Sequence, residues 1–165
     1  MTRATEASVE LRWVRLTDPA AQPLVHGLSG EYAERYGSND EMQAFDPADF
    51  GPPDGAFVLV VEGGRTVAGG GIRRLDPCCA ELKRMWTAPT HRRRGLARVV
   101  LAALEEAARE RGFRRLLLET GPAQPEAIRL YRSAGFELVP GYGRYRDDPD
   151  ALSYAKHLDD GQVGV

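Results

Sequence analysis

The amino-acid sequence predicts a single α/β (α+β) domain built on a central mixed sheet, mostly antiparallel, with helices against it. Three observations predict this class. Apolar segments of strand length alternate with segments of helical periodicity, a tight turn at Gly63-Gly64 joins two of the strands, and a strand, a helix and a strand follow one another between residues 80 and 120. The 165 residues are the length of one domain, and we expect flexible ends at 1–8 and 159–165.

Composition narrows the class of protein. The chain is 42% hydrophobic and 28% charged with a net charge of −2, which disfavours a general nucleic-acid binder. Cys78 and Cys79 are adjacent and build no disulfide framework, and the three histidines are too dispersed to predict a metal site. The first residues of the chain lack the apolar core that is typical of a signal peptide, and no run approaches the roughly 18 apolar residues of a membrane-spanning helix. We therefore expect a cytoplasmic protein with no membrane, nucleic-acid or metal partner.

The first third of the chain predicts a strand, a helix and a loop. Apolar residues alternate from Val9 to Leu16, which is typical of a strand. Apolar residues then recur at helical spacing over 19–36, with an interruption expected around Gly27 to Gly30. Residues 37–54 lack periodicity and are rich in Asp, Pro and Gly. This long loop either covers a substrate site or is a surface connection.

The middle of the chain predicts three antiparallel neighbours. The segments 55–62 and 66–75 flank the Gly63-Gly64 turn and form a hairpin. Three consecutive glycines, Gly69 to Gly71, would weaken the second strand, so they indicate a bulge or the close approach of another backbone. Asp76-Pro77 then turns the chain into a strand over 80–87.

The last part of the chain predicts a parallel pair. The predicted elements are a helix over 96–111, a strand over 115–120, a helix over 125–134 and strands over 136–139 and 151–158. Gly112 and Gly135 end the two helices. Because a helix directly joins the strands at 80–87 and 115–120, we expect these strands to be parallel neighbours with a right-handed crossover.

The loop between the strand at 80–87 and the following helix has the composition of an anion site. It reads Arg92-Arg93-Arg94-Gly95-Leu96-Ala97. The first N–H groups of a helix have no intrahelical partner and lie at the positive end of its dipole. Gly95 has no Cβ to hold an anion away, and guanidinium groups match phosphate oxygens. The spaced glycines of a Rossmann site and the Gly-Lys-Ser/Thr of a Walker A loop are not present in the sequence.

Two motifs resemble a known family. The run Arg92-x-x-Gly95-x-Ala97 resembles the acyl-CoA pyrophosphate loop of the GCN5-related N-acetyltransferase (GNAT) superfamily. The segment from Gln124 through Ala127 and Tyr131 to Gly135-Phe136 is similar to a second family motif, with Gln in place of Asn. The resemblance implies a GNAT-like sheet whose parallel pair splays to admit the cofactor. It also implies transfer of an acetyl group from acetyl-CoA to a primary amine in a ternary complex.

The resemblance also implies which residues contact the cofactor. They are the main chain of Met85, Trp86 and Thr87, the loop residues Arg92, Arg93, Arg94, Gly95, Leu96 and Ala97, and the side chain of Gln124.

Two residues carry the implied chemistry. Glu81 resembles the family's general base, and Tyr131 resembles the phenol that protonates the departing CoA thiolate. Each has an alternative interpretation: Glu81 as a strand residue paired with Lys83 or Arg84, and Tyr131 as a core tyrosine. Glu119 is a second possible base, and its alternative interpretation is a solvated glutamate at the end of its strand.

The resemblance implies an acceptor amine on a small molecule or a peptide. Candidate contacts are Glu31, Tyr32, Arg35 and Tyr145, and a homodimer is possible in this family. The acidic residues Asp40, Glu41, Asp46 and Asp49 hint at a cationic acceptor, although a solvated loop is equally acidic. One alternative function is the transfer of a longer acyl group. Another is a non-catalytic acyl-CoA sensor or partner-binding module.

Overall fold

A computed structural model describes residues 8–37, 42, 44–122, 124–143 and 145–158. The strands are β1 (Val9–Trp13), β2 (Ala56–Glu62), β3 (Arg65–Arg74), β4 (Cys79–Thr87), β5 (Arg115–Thr120), β6 (Glu137–Val139) and β7 (Leu152–His157). The α helices are α1 (Gln22–Tyr36), α2 (Leu96–Glu110) and α3 (Pro125–Ser133). In this part of the chain the strands form one seven-stranded sheet in the order β1-β2-β3-β4-β5-β7-β6.

The sheet is antiparallel except between β4 and β5, which confirms the predicted mixed sheet. The parallel pairing joins Cys79 to Arg115, Ala80 to Leu116 and Glu81 to Leu117, and its register goes no further. The rest of β4, from Leu82 to Thr87, therefore diverges from β5. The two strands open towards their carboxyl ends, where ligands of open α/β sheets bind.

A bulge lies at the point where β4 leaves β5. Gly69 pairs with Trp86 and Gly71 pairs with Lys83, so Gly70 faces both Arg84 and Met85. Arg84 takes the left-handed conformation with φ of 63°. A Cβ on Gly70 would collide with the Met85 sulfur, so the glycine run reflects both a bulge and close packing.

The two faces of the sheet carry separate apolar cores. On one face α2 packs through Val100 and Leu104 onto Val58 and Val60 of β2. On the other face, α1 packs through Leu24 and Leu28 onto Trp86, Leu59 and Phe50. The interruption predicted around Gly27 to Gly30 is wrong, because α1 is continuous there. Gly27 lets the helix lie against the Trp86 indole, which a Cβ would strike.

The second half of the predicted loop is anchored in the core. Pro47–Phe50 forms a 3-10 helix, and Asp46 caps it by accepting a hydrogen bond from the Ala48 N–H at 2.9 Å. Phe50 is fully buried, edge-on to Phe57 at 6.0 Å. Phe50 thus anchors this segment, although residues 46–49 are exposed, and 38–41 and 43 lie outside the described residues. The predicted flexible ends also lie outside them, except for Ser8.

Candidate active site

A cavity of about 760 Å³ occupies the opening between β4 and β5. Its walls come from α1, β4, β5, the start of α3 and the segment before β7. The lining residues are Tyr32, Arg35, Tyr36, Leu82, Lys83, Arg84, Met85, Leu118, Glu119, Thr120, Gly121, Pro122, Gln124, Tyr131, Tyr145, Asp148, Asp150 and Ala151. The mixture of apolar walls with a few polar and charged groups is typical of a binding site for a small ligand.

Tyr131 belongs both to the core and to this cavity. Its ring packs edge-on against Phe136 at 5.6 Å, and only 6% of the residue is exposed. Burial raises the pKa of Tyr131 well above its usual range, and the Tyr32 phenol adds to the rise. The hydroxyl is therefore protonated at neutral pH and can donate a hydrogen bond or a proton.

Glu81 lies behind the cavity rather than in its wall. It is 2% exposed, and its Oε1 accepts a hydrogen bond of 3.0 Å from Arg73 Nε. Its Oε2 accepts a hydrogen bond of 2.7 Å from the Tyr142 hydroxyl, and Lys83 Nζ lies 4.0 Å from Oε1. We refer to Arg73, Glu81, Lys83 and Tyr142 as the Glu81 cluster. Burial, followed by the charge of Glu81, raises the pKa of the Tyr142 phenol.

Sequence reasoning missed two members of the Glu81 cluster. Arg73 pairs directly with Glu81 across β3 and β4, so the hairpin register was the signal that could have found it. Tyr142 comes from the segment after β6, and no local pattern predicts that contact. Phe45 covers the cluster, with the Arg73 guanidinium 4.5 Å and the Lys83 ammonium 4.6 Å from its ring centre.

Glu119 is the carboxylate of β5 that lines the cavity. The wall also carries Arg35, Lys83 and Arg84 as cations and Asp148 and Asp150 as further anions. The Arg84 guanidinium donates a hydrogen bond of 3.1 Å to the main-chain oxygen of Met42, which links β4 to the segment before Phe45. A ligand in the cavity would therefore meet both signs of charge.

The loop before α2 has the geometry of an anion site. Gly95 precedes the helix in the left-handed conformation with φ of 78°, and Arg93 is also left-handed with φ of 66°. A Cβ on Gly95 would meet no atom within 4 Å, so the glycine faces open space at the helix N-terminus. Successive main-chain N–H groups in such a turn form a concave anion site.

The three arginines of this loop differ in their partners. Arg92 pairs with Glu31 of α1, and Arg94 pairs with Glu62 of β2 at 2.8 Å. Within the described ranges, no ion pair involves Arg93. Glu31 therefore contacts the loop and does not line the cavity.

The remaining predicted residues divide between the cavity and the core. Tyr32, Arg35, Tyr145, Met85 and Gln124 line the cavity, whereas Trp86 and Thr87 do not. The Gln124 amide, at the start of α3, donates a hydrogen bond of 2.9 Å to the Tyr36 hydroxyl. The Trp86 side chain packs against α1.

Comparison with known proteins identifies the family. Residues 21–136 match the model of the Acetyltransferase (GNAT) family. The chain belongs to this family. This GNAT protein is 34% identical over 137 residues to the uncharacterized N-acetyltransferase YedL of Escherichia coli (strain K12), covering 81% of this chain and 85% of that protein. The predicted family and acyltransferase class are therefore confirmed.

Solved structures share the fold of this GNAT acetyltransferase. A Klebsiella pneumoniae protein with a proposed acyl-CoA N-acyltransferase activity matches at a TM-score of 0.77 and 27% identity, over 92% of this chain and 98% of that one. The PaiA N-acetyltransferase from Thermoplasma acidophilum, solved with coenzyme A, matches at a TM-score of 0.70 and 16% identity, over 91% and 99% of the two chains. The second match shows the fold alone.

The described residues contain neither a candidate membrane span nor a candidate metal site. No helix there combines the length and the apolarity that a membrane span requires. No group of three or more His, Cys, Asp or Glu side chains in the same ranges is arranged to hold a metal ion.

Proposed function

We propose that this GNAT acetyltransferase moves an acetyl group from acetyl-CoA to a primary amine by direct transfer in a ternary complex. The observation that carries the proposal is the divergence of β4 from β5 after Glu81, which opens the cavity beside Tyr131. β4 continues past the cavity from Met85 to Thr87, and the 3-10 helix Pro89–His91 joins it to the loop that starts at Arg92. One stretch of chain thus supplies sites for both ends of a long cosubstrate.

The residues present fit an acyl-CoA. Gly95 and the first N–H groups of α2 suit a pyrophosphate, with Arg93 beside them. The diverging stretch of β4 offers main-chain groups that β5 does not pair, and Gln124 offers a side-chain amide. Acetyl-CoA supplies the acetyl group as a thioester. A relative of the same fold was solved with coenzyme A, which supports this choice of cosubstrate.

The side chains have two proton transfers to carry out, one from the attacking amine and one to the departing sulfur. A C–N bond forms between the amine nitrogen and the acetyl carbon, and the C–S bond breaks. A carboxylate accepts the proton that the amine loses, and the Tyr131 hydroxyl donates a proton to the departing sulfur. A phenol is protonated at neutral pH, so the Tyr131 hydroxyl in the cavity wall carries the proton that the sulfur takes.

We assign the acceptance of the amine proton to Glu119, because this residue of β5 lines the cavity whereas Glu81 does not. Glu81 is the second candidate. Its Oε2 accepts the Tyr142 hydrogen bond, so a proton could reach it only through Tyr142 or a water molecule. A base must come within hydrogen-bond reach of the proton that it takes, which favours Glu119.

Release of free thiol from acetyl-CoA across a panel of primary amines tests the function. The panel should include polyamines, amino acids and short peptides, because the cavity wall carries both signs of charge. We expect turnover with at least one amine. Thiol release with propionyl-CoA or longer acyl-CoAs in preference to acetyl-CoA would instead identify a longer acyl group. Thermal stabilisation by acetyl-CoA without turnover on any amine would contradict the proposal and indicate a sensor.

A further inference from the structure

The first strand presents an apolar surface at the edge of the sheet. β1 pairs with β2 alone, and the sheet order places it at one end. Val9, Leu11 and Trp13 are 42–50% exposed, although Val60 and Val58, the partners of Leu11 and Trp13, lie in the core. Alternating apolar residues usually mark a strand with one buried face. In β1 that face remains half exposed.

The main-chain groups of the same three residues point away from the sheet. The Val14 N–H, one residue beyond β1, donates a hydrogen bond of 3.0 Å to the Phe57 oxygen of β2. The main-chain N–H and C=O groups of successive residues in an antiparallel strand point to alternate sides. Val9, Leu11 and Trp13 therefore direct theirs away from β2. An edge of this kind is a template for another strand.

We propose that β1 is the surface through which two copies of this chain associate, as antiparallel strands related by a two-fold axis at Leu11. In this register Leu11 faces Leu11 of the second copy, and Val9 faces Trp13. The outward main-chain groups of these three residues then form the hydrogen-bonded pairs of the ladder. Their side chains come together on the face that carries α2.

Charge complementarity supports a second copy of this chain as the partner of β1 and selects the register of the pairing. Glu10 and Arg12 lie on the opposite face of β1, where they form an ion pair at 3.5 Å. In the two-fold register each Glu10 faces an Arg12 of the second copy, at non-hydrogen-bonded positions where facing side chains are closest. Opposite charges at such positions stabilise a sheet. The sequence Val-Glu-Leu-Arg-Trp is thus complementary to itself when antiparallel.

The strand at the other edge of the sheet, β6, is not complementary to itself in this way. β6 has three residues, and Leu138 is 60% exposed. A two-fold axis at Leu138 would place Glu137 opposite Val139, with no charge partner. A five-residue ladder makes a small interface, so we expect a dimer that dissociates on dilution.

Sedimentation velocity over a range of protein concentrations tests the proposal with charge reversals. Glu10→Arg and Arg12→Glu each place like charges opposite one another, and each should weaken association by about tenfold or more. The double variant restores opposite charges and should associate like the wild type. An equimolar mixture of the two single variants should form heterodimers, because each supplies the charges that the other lacks. Circular dichroism of each variant at low concentration confirms that the chain is folded.

Tryptophan fluorescence gives a second readout. Trp13 is half exposed and would be covered by Val9 of the second copy, whereas Trp86 is already buried. We expect the emission to shift to shorter wavelength as concentration rises, in the wild type and the double variant only. A wild type that stays monomeric up to its solubility limit would overturn the proposal. Dimers insensitive to the charge reversals but lost in Leu138→Lys would also overturn it and place the contact at β6.

Discussion

The Tyr142 hydroxyl donates a hydrogen bond of 2.7 Å to Oε2 of Glu81, which ties the segment after β6 to β4 behind the cavity. Because hydrogen bonds to charged groups contribute about 1.5–3 kcal/mol, Tyr142→Phe should lower the free energy of unfolding by about 2 kcal/mol. Urea denaturation measures this change. Tyr36→Phe is the matched control, since it also removes a hydroxyl with a hydrogen bond but at a half-exposed residue. Equal effects of the two substitutions would contradict a structural role for the Glu81 cluster.

Burial of Tyr131 and Tyr142 predicts a loss of stability in alkali. Their folded-state pKa values are raised above the usual value of about 10, so the unfolded chain releases these protons first. Their stabilising effect is complete below about pH 10 and is lost as pH rises towards the folded-state values. Each tyrosine should add a slope of up to about 1.4 kcal/mol per pH unit above pH 10. Urea denaturation between about pH 8 and 11 should show a flatter profile for Tyr131→Phe and Tyr142→Phe, whereas unchanged slopes would contradict their burial.

The two candidate bases make opposite predictions. Glu119→Gln should lower kcat by about a hundredfold or more, because general base catalysis typically contributes that much. Glu81→Gln should instead lower the free energy of unfolding by about 3 kcal/mol, since Arg73 and Lys83 lose their buried counter-charge, and change kcat little. Steady-state kinetics and urea denaturation of both variants separate the roles. A folded Glu81→Gln protein with the larger loss of kcat would identify Glu81 as the base.

Gly95 should matter for acetyl-CoA and not only for the fold. Gly95→Ala places a Cβ in the open space before α2, where we propose the pyrophosphate binds, and should raise the KM for acetyl-CoA about tenfold. Gly112→Ala is the matched control at the other end of α2, because it also has φ near 80° and no atom within 4 Å of the added Cβ. Both substitutions should cost about 1–2 kcal/mol of stability through left-handed strain. An equal rise of KM in both would remove the loop from the cosubstrate site.

The pairing of β2, β3, β4 and β5 was predictable because local signals report it, whereas the positions of β1, β6 and β7 in the sheet were not predicted. The Gly63-Gly64 turn indicated the hairpin, and the direct succession of strand, helix and strand indicated the parallel pair. Helix ends were also predictable, since Gly112 and Gly135 take left-handed conformations after α2 and α3. Tertiary contacts were not predictable from such local signals. Gly27 reads as a helix breaker, and only the position of the Trp86 indole shows why a glycine is required there.

In the candidate site, too, the features that lie within one element were predictable and the contacts between distant elements were not. The loop around Gly95 and the position of Tyr131 follow from short motifs, because each motif lies within one element and its flank. The environment of Glu81 does not follow from a short motif, because Arg73 contacts it from β3 and Tyr142 from the segment after β6. The resemblance to the family suggested Glu81 as the base, whereas the divergence of β4 and β5 brings Glu119 to the cavity wall. A local motif does not report burial or contacts across the sheet, and these set the surroundings of the two carboxylates.

Mass spectrometry of the amine and of the intact protein, in one reaction started with acetyl-CoA, tests the central claim most directly. We predict an amine heavier by one acetyl group, and a protein whose mass is unchanged when it is incubated with acetyl-CoA alone, because the transfer is direct. Tyr131→Phe should form the same product more slowly, through a lower kcat. An unmodified amine throughout the panel would contradict acetyl transfer to amines, and an acetylated protein that passes its acetyl group to the amine would contradict the ternary complex.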